Sequence, residues 1–574
     1  MCGIFGILNN DNNKEAITTA FLKGKGRGPE TSSLNFYETL REENEIVLGF
    51  HRLAINGYLK KSSEQPFDKR DCVLICNGEI YNWKRLIRLM GMSLDKKGIE
   101  YGSSDCEIIL HLYKHYGIEY TYKVLDGVFA FILFDKIKQT VYVARDMYGV
   151  RPLFMGMESK TLGEFQYFFG SEMKMFHNLR KDENSMYIDQ IKPGSIYTFD
   201  MRTMMYQEKN MKMNPFINNT LYNETMVLDR IRDTLIGAVK KRIDNTDRPI
   251  ACLLSGGLDS SLITALVVSI MGGPNVKTYS IGMKGSEDLK YAKLVADFLK
   301  TDHTTIILEE REFLEAIEPV IYTIESYDTT TVRASVGNWL VSKYIKENSD
   351  CKVIFNGDGS DEVTGGYMYF HCAPDALSFD KECKRLLDNI HYYDVLRSDR
   401  SISHHGLEAR TPFLDTTFVQ NYLSIPIEWR CHVGDVRNNC EKYLLRKAFA
   451  VLSVLPTKVL WRKKEAFSDG VSNNKKSWFQ IIQEYVKEKI YNVKNEEAYI
   501  AQKCNYYNWV KNKPKTLEQL YYREIFHKYY KNTDNVIPEF WMPRFVEAND
   551  ASARTLDIYK KFEQLSDEEN NYLV

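Results

Sequence analysis

One stretch constrains this chain more than any other: Leu253-Leu254-Ser255-Gly256-Gly257-Leu258-Asp259-Ser260-Ser261. It lies between the apolar run Ile250-Ala251-Cys252 and the apolar helical pattern Leu262-Ile263-Thr264-Ala265-Leu266-Val267-Val268. The order predicts a strand, a tight polar loop and a helix. The two glycines let the backbone approach a ligand without a Cβ in the way. Serine hydroxyls and loop amides gather where the helix N-terminus is electropositive, which suits phosphate. No Gly-Lys-Ser/Thr follows, so the loop is not of the Walker A type. Asp259, an acid inside an anion-binding loop, makes sense as a ligand to magnesium riding on the phosphates. The plainer reading is a glycine turn that merely starts a helix. A lone Gly-Gly would favour that reading; the complete loop after a buried strand favours phosphate.

The chain has 574 residues, too many for one core, so two or more domains are expected. Its formal net charge of -1 provides no field to draw nucleic acid or an anionic membrane. The 11 cysteines are scattered, odd in number and without paired spacing, which predicts free thiols in a reducing compartment. No basic segment precedes an apolar one at the N-terminus, and no apolar run approaches ~18 residues. These features predict a cytoplasmic protein with neither a membrane nor a nucleic-acid partner.

The chain opens Met1-Cys2-Gly3-Ile4-Phe5-Gly6-Ile7. Cysteine is small enough for the initiator methionine to be removed, leaving Cys2 with a free α-amine of pKa roughly 7.7–8.0. That amine can act as general base for the thiol of its own residue, with no histidine needed. A small buried residue at the start of a strand is the plainer reading of Cys2 taken alone. Further on come Arg27-Gly28-Pro29-Glu30, His51-Arg52-Leu53-Ala54-Ile55-Asn56, and Val73-Leu74-Ile75-Cys76-Asn77-Gly78-Glu79-Ile80-Tyr81-Asn82. In the last, Asn-Gly after an apolar strand reads as a hairpin or loop. Ser104-Asp105-Cys106-Glu107 opens an amphipathic helix, and Ala144-Arg145-Asp146 leads to Gly149-Val150-Arg151-Pro152-Leu153.

In this order the segments resemble class II glutamine amidotransferases, N-terminal-nucleophile hydrolases with an αββα sandwich that release ammonia from glutamine through a thioester. The resemblance implies Cys2 as nucleophile and an oxyanion hole formed by Asn77 and the Gly78 amide. It implies that Arg52 pairs with the glutamine α-carboxylate. Glu79 and Asp105 would accept from the α-ammonium, with backbone contacts from Ile55 and Asn56. The family usually has His-Arg-Gly-Pro-Asp where this chain has Gly26-Arg27-Gly28-Pro29-Glu30.

The sequence turns polar and Asn-rich after about Tyr206, so a linker is placed at 206–223, between a domain at 2–205 and one at 224–574. Beyond it, strands and helices alternate: a helix over Val227–Ile243, the opening loop, strands at Lys277–Met283, Thr304–Leu308 and Lys352–Asn356, and helices between. This predicts a doubly wound parallel α/β sheet with ligands beyond the strand C-termini. The second polar cluster, Gly357-Asp358-Gly359-Ser360-Asp361-Glu362, follows a buried strand, and Asp361 is the natural second magnesium ligand opposite Asp259.

With Gly406-Leu407-Glu408-Ala409-Arg410-Thr411-Pro412-Phe413-Leu414-Asp415 and Trp461-Arg462-Lys463-Lys464-Glu465-Ala466-Phe467-Ser468-Asp469-Gly470-Val471, this half resembles the synthetase domain of glutamine-hydrolysing asparagine synthetases, with a pyrophosphate loop of the ATP-pyrophosphatase type. The resemblance spans almost the whole chain. It implies ATP and L-aspartate as substrates beside L-glutamine, Mg2+ on ATP, and a homodimer. Leu253, Ile281 and Gly357 would line the adenosine site with Asn356, while Ser255, Gly256, Gly257, Asp259 and Ser260 would hold pyrophosphate. Lys464 would neutralise phosphate charge, and Arg333 would stand near aspartate. Asp358 and Asn356 depart from the family's glutamate and serine; Asp358 keeps the acid that could manage ammonia's proton, one methylene shorter. Two alternatives stand beside this reading. The same architecture could act on another carboxylate, which Asp358 and Asn356 motivate. A non-catalytic glutamine- or nucleotide-binding scaffold is the other, and intact Cys2, Asp259, Asp361 and Lys464 argue against it.

Overall fold

A computed structural model describes residues 1–41, 44–92, 104–160, 163–212, 223–273, 275–433, 440–473 and 476–560. The acidic tail from Ser566 and most of the expected linker, 213–222, lie outside the described residues.

Apolar residues at alternate positions build the first half. Its six-stranded first sheet runs, in spatial order, Met186–Gln190, Phe154–Ser159, Phe165–Gly170, Gly3–Leu8, Glu45–Arg52 and Thr31–Glu38, all antiparallel. The second sheet runs Met205–Asn210, Ser195–Asp200, Thr140–Arg145, Gly127–Asp135, Cys72–Ile80 and Phe67–Asp68. Ile4, Leu8, Ile46 and Leu48 of the first sheet face Val73, Ile75, Ile132 and Phe134 of the second. Each such side chain, fully buried, contributes about 1.5–3 kcal/mol. On the outer faces, helix Lys14–Leu22 lays Ile17 and Phe21 on Phe5 and Val47. Helices Trp83–Leu89 and Ile108–Val124 cover Leu74, Cys76, Phe131 and Leu133. The result is the expected αββα sandwich.

Two local expectations fail here. Asn77-Gly78 is no hairpin; both lie inside strand Cys72–Ile80, opposite Ala130 and Phe129. The glycine answers to its neighbour rather than to a turn, since a Cβ would stand 2.6 Å from Val128 O and 2.7 Å from Phe129 Cβ. Residues 206–210, expected in the linker, belong to an edge strand paired with Ser195–Asp200. An edge strand lying mostly in solvent has linker-like polarity, which is why composition alone misplaces it.

In the second half, Asn223 caps helix Glu224–Ile243 by accepting from Met226 N. The five-stranded sheet is wholly parallel, in the order Asp302–Leu308, Lys277–Met283, Ile250–Leu253, Val353–Phe355, Glu408–Arg410. The winding reverses between Ile250–Leu253 and Val353–Phe355, which opens a crevice beyond their C-terminal ends. Both polar loops emerge there. Beyond strand Asp302–Leu308 the chain forms two short helices, Glu310–Glu315 and Ile317–Ile324.

Charge and apolar packing join the halves. Helix Asp394–Ser403 carries Asp399, whose Oδ1 accepts from Arg27 Nη1 at 2.8 Å, and Arg400, paired with Glu325 at 2.6 Å. Both Glu325 oxygens accept from the backbone of the first half, from Met173 N and Lys174 N at 2.9 Å each. Arg27 also donates to the Cys2 carbonyl at 3.0 Å and to Ser403 Oγ at 2.8 Å. Arg27 and Asp399 are both buried, so Arg27→Met leaves this carboxylate in the interior with only the longer contact to Arg151 Nη1 at 3.7 Å. The substitution should cost on the order of 3–5 kcal/mol, seen as a lower unfolding midpoint; a midpoint equal to that of the unchanged protein would mean that the pair does not hold the halves together.

Candidate active sites

The first site forms where strand Gly3–Leu8 begins. The Cys2 backbone N–H donates to Asn77 Oδ1 at 3.1 Å, and Cys2 Sγ lies 3.6 Å from Leu53 O. Burial pushes the thiol up to about 11. A thiol held there is a poor nucleophile unless a base acts on it. Met1 is fully buried, with its amine 3.5 Å from Glu408 Oε2. Asn77 Nδ2 is buried without a hydrogen-bond partner. An unfilled amide donor beside a cysteine is what an oxyanion hole requires.

The other expected glutamine contacts gather around the same strand. Asn56 Nδ2 donates to Glu79 Oε2 at 2.8 Å, Ile80 N donates to Asp105 Oδ2 at 2.7 Å, and Arg52 Nη2 donates to Gly57 O at 2.9 Å. The Ile55 carbonyl accepts from Asp247 N of the second half at 2.9 Å, which leaves its second lone pair for a ligand. Asn56 contributes its side chain as well. Residues of the second half, invisible to sequence reasoning, complete the acid pair. Asn245 Nδ2 donates to Glu79 at 2.7 Å and Asp105 at 3.2 Å, and Arg410 lies 3.2 Å from Glu79. Burial raises both acids; for Glu79 the nearby Glu408 and Asp105 carboxylates add to it. Such a pair favours a cationic ligand.

The second site is the crevice beyond the parallel sheet. Its walls include Leu253, Ser255, Gly257, Asp259, Ser260, Ile281, Asn356, Gly357, Asp358, Asp361 and Lys464. Of the residues expected there, Gly256 is not in the lining: a Cβ on it would lie 2.4 Å from Ala292 N, and its carbonyl accepts from Arg462 Nη1 at 3.0 Å. Arg462, itself paired with Asp288 at 2.8 Å and also lining the crevice, thus anchors the loop. Ser255 Oγ and Ser260 Oγ lie 2.9 Å apart, and helix Leu258–Met271 starts at Gly257 with no side-chain cap, leaving its amides for an anion. The two polar loops touch. Ser360 Oγ donates to Asp259 Oδ1 at 2.8 Å, and a Cβ on Gly357 would stand 2.7 Å from Asp259 Cβ.

Asp361 and Asp259 face one another across ammonium groups. Lys464 Nζ lies 2.6 Å from Asp361 Oδ2 and 3.8 Å from Asp259 Oδ2. Burial disfavours both charges, yet Lys442 and Lys464 hold Asp361 below its ordinary range, and Asp361 and Asp259 hold Lys464 above its own. Asp361 Oδ1 is buried and accepts no directed hydrogen bond, so it suits a cation. Among the described residues no three His, Cys, Asp or Glu side chains converge as a metal cage. The pair fits a divalent ion that takes its remaining ligands from phosphate.

The two departures from the family pattern meet each other. Asn356 Nδ2 donates to Asp358 Oδ2 at 2.7 Å and lies 2.7 Å from Ser398 Oγ. Arg397 Nη2 donates to Asp358 Oδ1 at 3.1 Å. The shorter acid is therefore fixed at the cavity wall from two sides. Arg333 is committed elsewhere, to Glu518 through Nε at 2.8 Å and Nη2 at 2.6 Å, and to Asp550 through Nη1 at 2.7 Å. That double fork satisfies it without a substrate.

Comparison with known proteins joins the two sites in one class. Residues 1–214 match the glutamine amidotransferase domain family, and 230–382 and 373–544 match the asparagine synthase family. The glutamine-hydrolysing asparagine synthetase of Gallus gallus is 40% identical over 585 residues, 98% of this chain and 99% of that protein. The enzyme of the same name from Homo sapiens is 38% identical over 582 residues, again 98% and 99% of the two chains. This chain belongs to the glutamine-hydrolysing asparagine synthetase family.

Asp469, next to cavity-lining Ser468, offers a test of the wall. Its two carboxylate oxygens accept from Ser552 Oγ at 2.9 Å each, and burial, then the nearby Glu465, pushes it up to about 7. An unfolded aspartate titrates near ~3.9. Between these values the folded protein keeps a proton that the unfolded chain has released. The group's contribution to stability is therefore complete below about pH 3.9 and lost as the pH rises to about 7. Asp469→Asn should flatten that part of the melting-temperature profile; a slope unchanged from the parent protein would mean that Asp469 is ionised when folded.

Proposed function

We propose that the protein makes L-asparagine from L-aspartate, L-glutamine and ATP. In the crevice of the second half, the β-carboxylate of aspartate attacks the α-phosphorus of ATP, forming β-aspartyl-AMP and releasing pyrophosphate. The loop from Ser255 to Ser260 receives the phosphates, and Lys464 offsets their charge. Magnesium, held by Asp259 and Asp361, would supply charge neutralisation on the phosphates. Once its α-amine is free, Cys2 attacks the glutamine amide carbon, with the amine taking the thiol proton and passing it to the ammonia that leaves as the C–N bond breaks and the thioester forms. Asn77 Nδ2 and the Gly78 amide receive the developing oxyanion. Water hydrolyses the thioester to glutamate. The released ammonia displaces AMP from the aspartyl carbonyl, and Asp358 accepts its surplus proton.

The observation that carries this reading is the presence on one chain of a cysteine beside an unfilled amide donor and of a phosphate crevice with paired acids. Ammonia is consumed where an activated acid must be kept from water, so internal passage between the sites fits the chemistry. The glutaminase half is read as ending with strand Met205–Asn210 and the synthetase half as starting with helix Glu224–Ile243. The family resemblance and eleven free thiols support a homodimer in the cytoplasm. Among the described residues no helix is long and apolar enough to cross a membrane.

Product analysis with ATP and aspartate tests the scheme. Cys2→Ala should abolish asparagine formation from glutamine and keep formation from ammonium salts. Full glutamine-dependent synthesis by that variant would remove Cys2 from the mechanism, and pyrophosphate exchange with another acid but not aspartate would change the acceptor.

A further inference from the structure

Lys442 was invisible as a functional residue in the sequence, yet it stands closer to the acid pair than Lys464 does. Its Nζ lies 2.6 Å from Asp259 Oδ2 and 2.6 Å from Asp361 Oδ1, and its side chain is 1% exposed against 17% for Lys464. It also reaches Ser360 Oγ at 3.4 Å and lines the crevice. The surroundings are shaped for it. A Cβ on Gly366 would come within 2.1 Å of Lys442 Cε and 2.3 Å of Asp361 Oδ1, so the lysine stem fills the space that glycine leaves. The Lys442 backbone is left-handed, with φ 63° and ψ 26°, a conformation that side-chain-bearing residues rarely adopt and that clusters at functional sites. Its contact with Asp361 Oδ1 is an ion pair without a directed hydrogen bond.

Two carboxylates and two ammonium groups sum to no net charge. A bare divalent cation entering this half-buried quartet would add an uncompensated double charge, which is costly where water is largely excluded. A cation that arrives on pyrophosphate brings its own negative charge. We propose that Lys442 is a resident counter-ion: a positioning residue that holds Asp259 and Asp361 together while no metal is bound, yields them to a divalent cation that arrives with phosphate, and then pairs with the phosphate oxygens. Metal capture is thereby coupled to nucleotide arrival. The inference rests on the reading of this crevice as a phosphate site.

Calorimetric titration of the full chain with Mn2+, with and without inorganic pyrophosphate, tests it. For the unchanged protein, Mn2+ should bind about tenfold or more tightly with pyrophosphate than alone. Lys442→Met keeps most of the stem and removes the charge. It should bind Mn2+ alone about tenfold more tightly than the parent, and Mn2+ with pyrophosphate about tenfold more weakly. If Lys442→Met does not fold, Lys442→Gln is read the same way. A variant whose Mn2+ affinities both stay within about twofold of the parent overturns the role of Lys442 and leaves the phosphate site standing. Failure of the unchanged protein to bind pyrophosphate at all overturns both.

Discussion

The ion pair between Arg27 and Asp399 is the contact on which the two-site arrangement depends. Arg27 donates to the carbonyl of Cys2, and Asp399 belongs to the helix whose Arg397 and Ser398 reach Asp358 and Asn356. One short helix therefore touches the reactive end of the first half and the acid at the crevice of the second. Buried charge pairs are weak sources of net stability, because removing both ions from water costs about what their attraction returns. What they impose is geometry: a charge that finds no partner in any other docking makes the other dockings expensive. Arg410 with Glu79 repeats the device across the same seam, Glu325, held by Arg400 within the second half, accepts there from Met173 N and Lys174 N, and an apolar cluster from Phe5 and Phe154 to Ile324, Ile402 and Leu407 fills the space between.

The two sites prepare for their ligands in opposite ways. Around Glu79 and Asp105, burial and neighbouring acids leave negative charge under-compensated, and both are raised. A ligand ammonium would relieve that directly. Around Asp259 and Asp361, lysines already supply the positive charge, and Asp361 is held low despite burial. A ligand there must displace a cation already in place. On the function proposed above, the first site gains affinity for a cationic group, and the second distinguishes a bare cation from one bound to phosphate.

Much of this was legible in the residues. The loop after Leu253 announced itself because apolar strand, glycines, acid and apolar helix are contiguous in sequence, and every part of that signal is local. Both layers of the sandwich followed from the resemblance to class II glutamine amidotransferases, not from the periodicity of the strands. What escaped was set by partners far along the chain. Gly78 looks like a turn residue, and only the closeness of Val128 and Phe129 reveals why a strand needs it. Lys442 follows a polar, Asn-containing run and carries no motif; its meaning comes from two acids brought to it by separate loops. Asn245 is likewise ordinary in sequence, Arg410 stands in a motif assigned wholly to the second half, and both become part of the first site only when the halves dock.

The burial of Met1 makes the first residue part of the seam between the halves. Its side chain is wholly enclosed, its Sδ lies 2.7 Å from Arg151 Nη1, and its amine faces Glu408 and the Leu407 carbonyl of the second half. Losing this residue would take an ammonium from Glu408 and a thioether from Arg151, and those two, already 3.5 Å apart across the seam, would still hold the ends of the halves together.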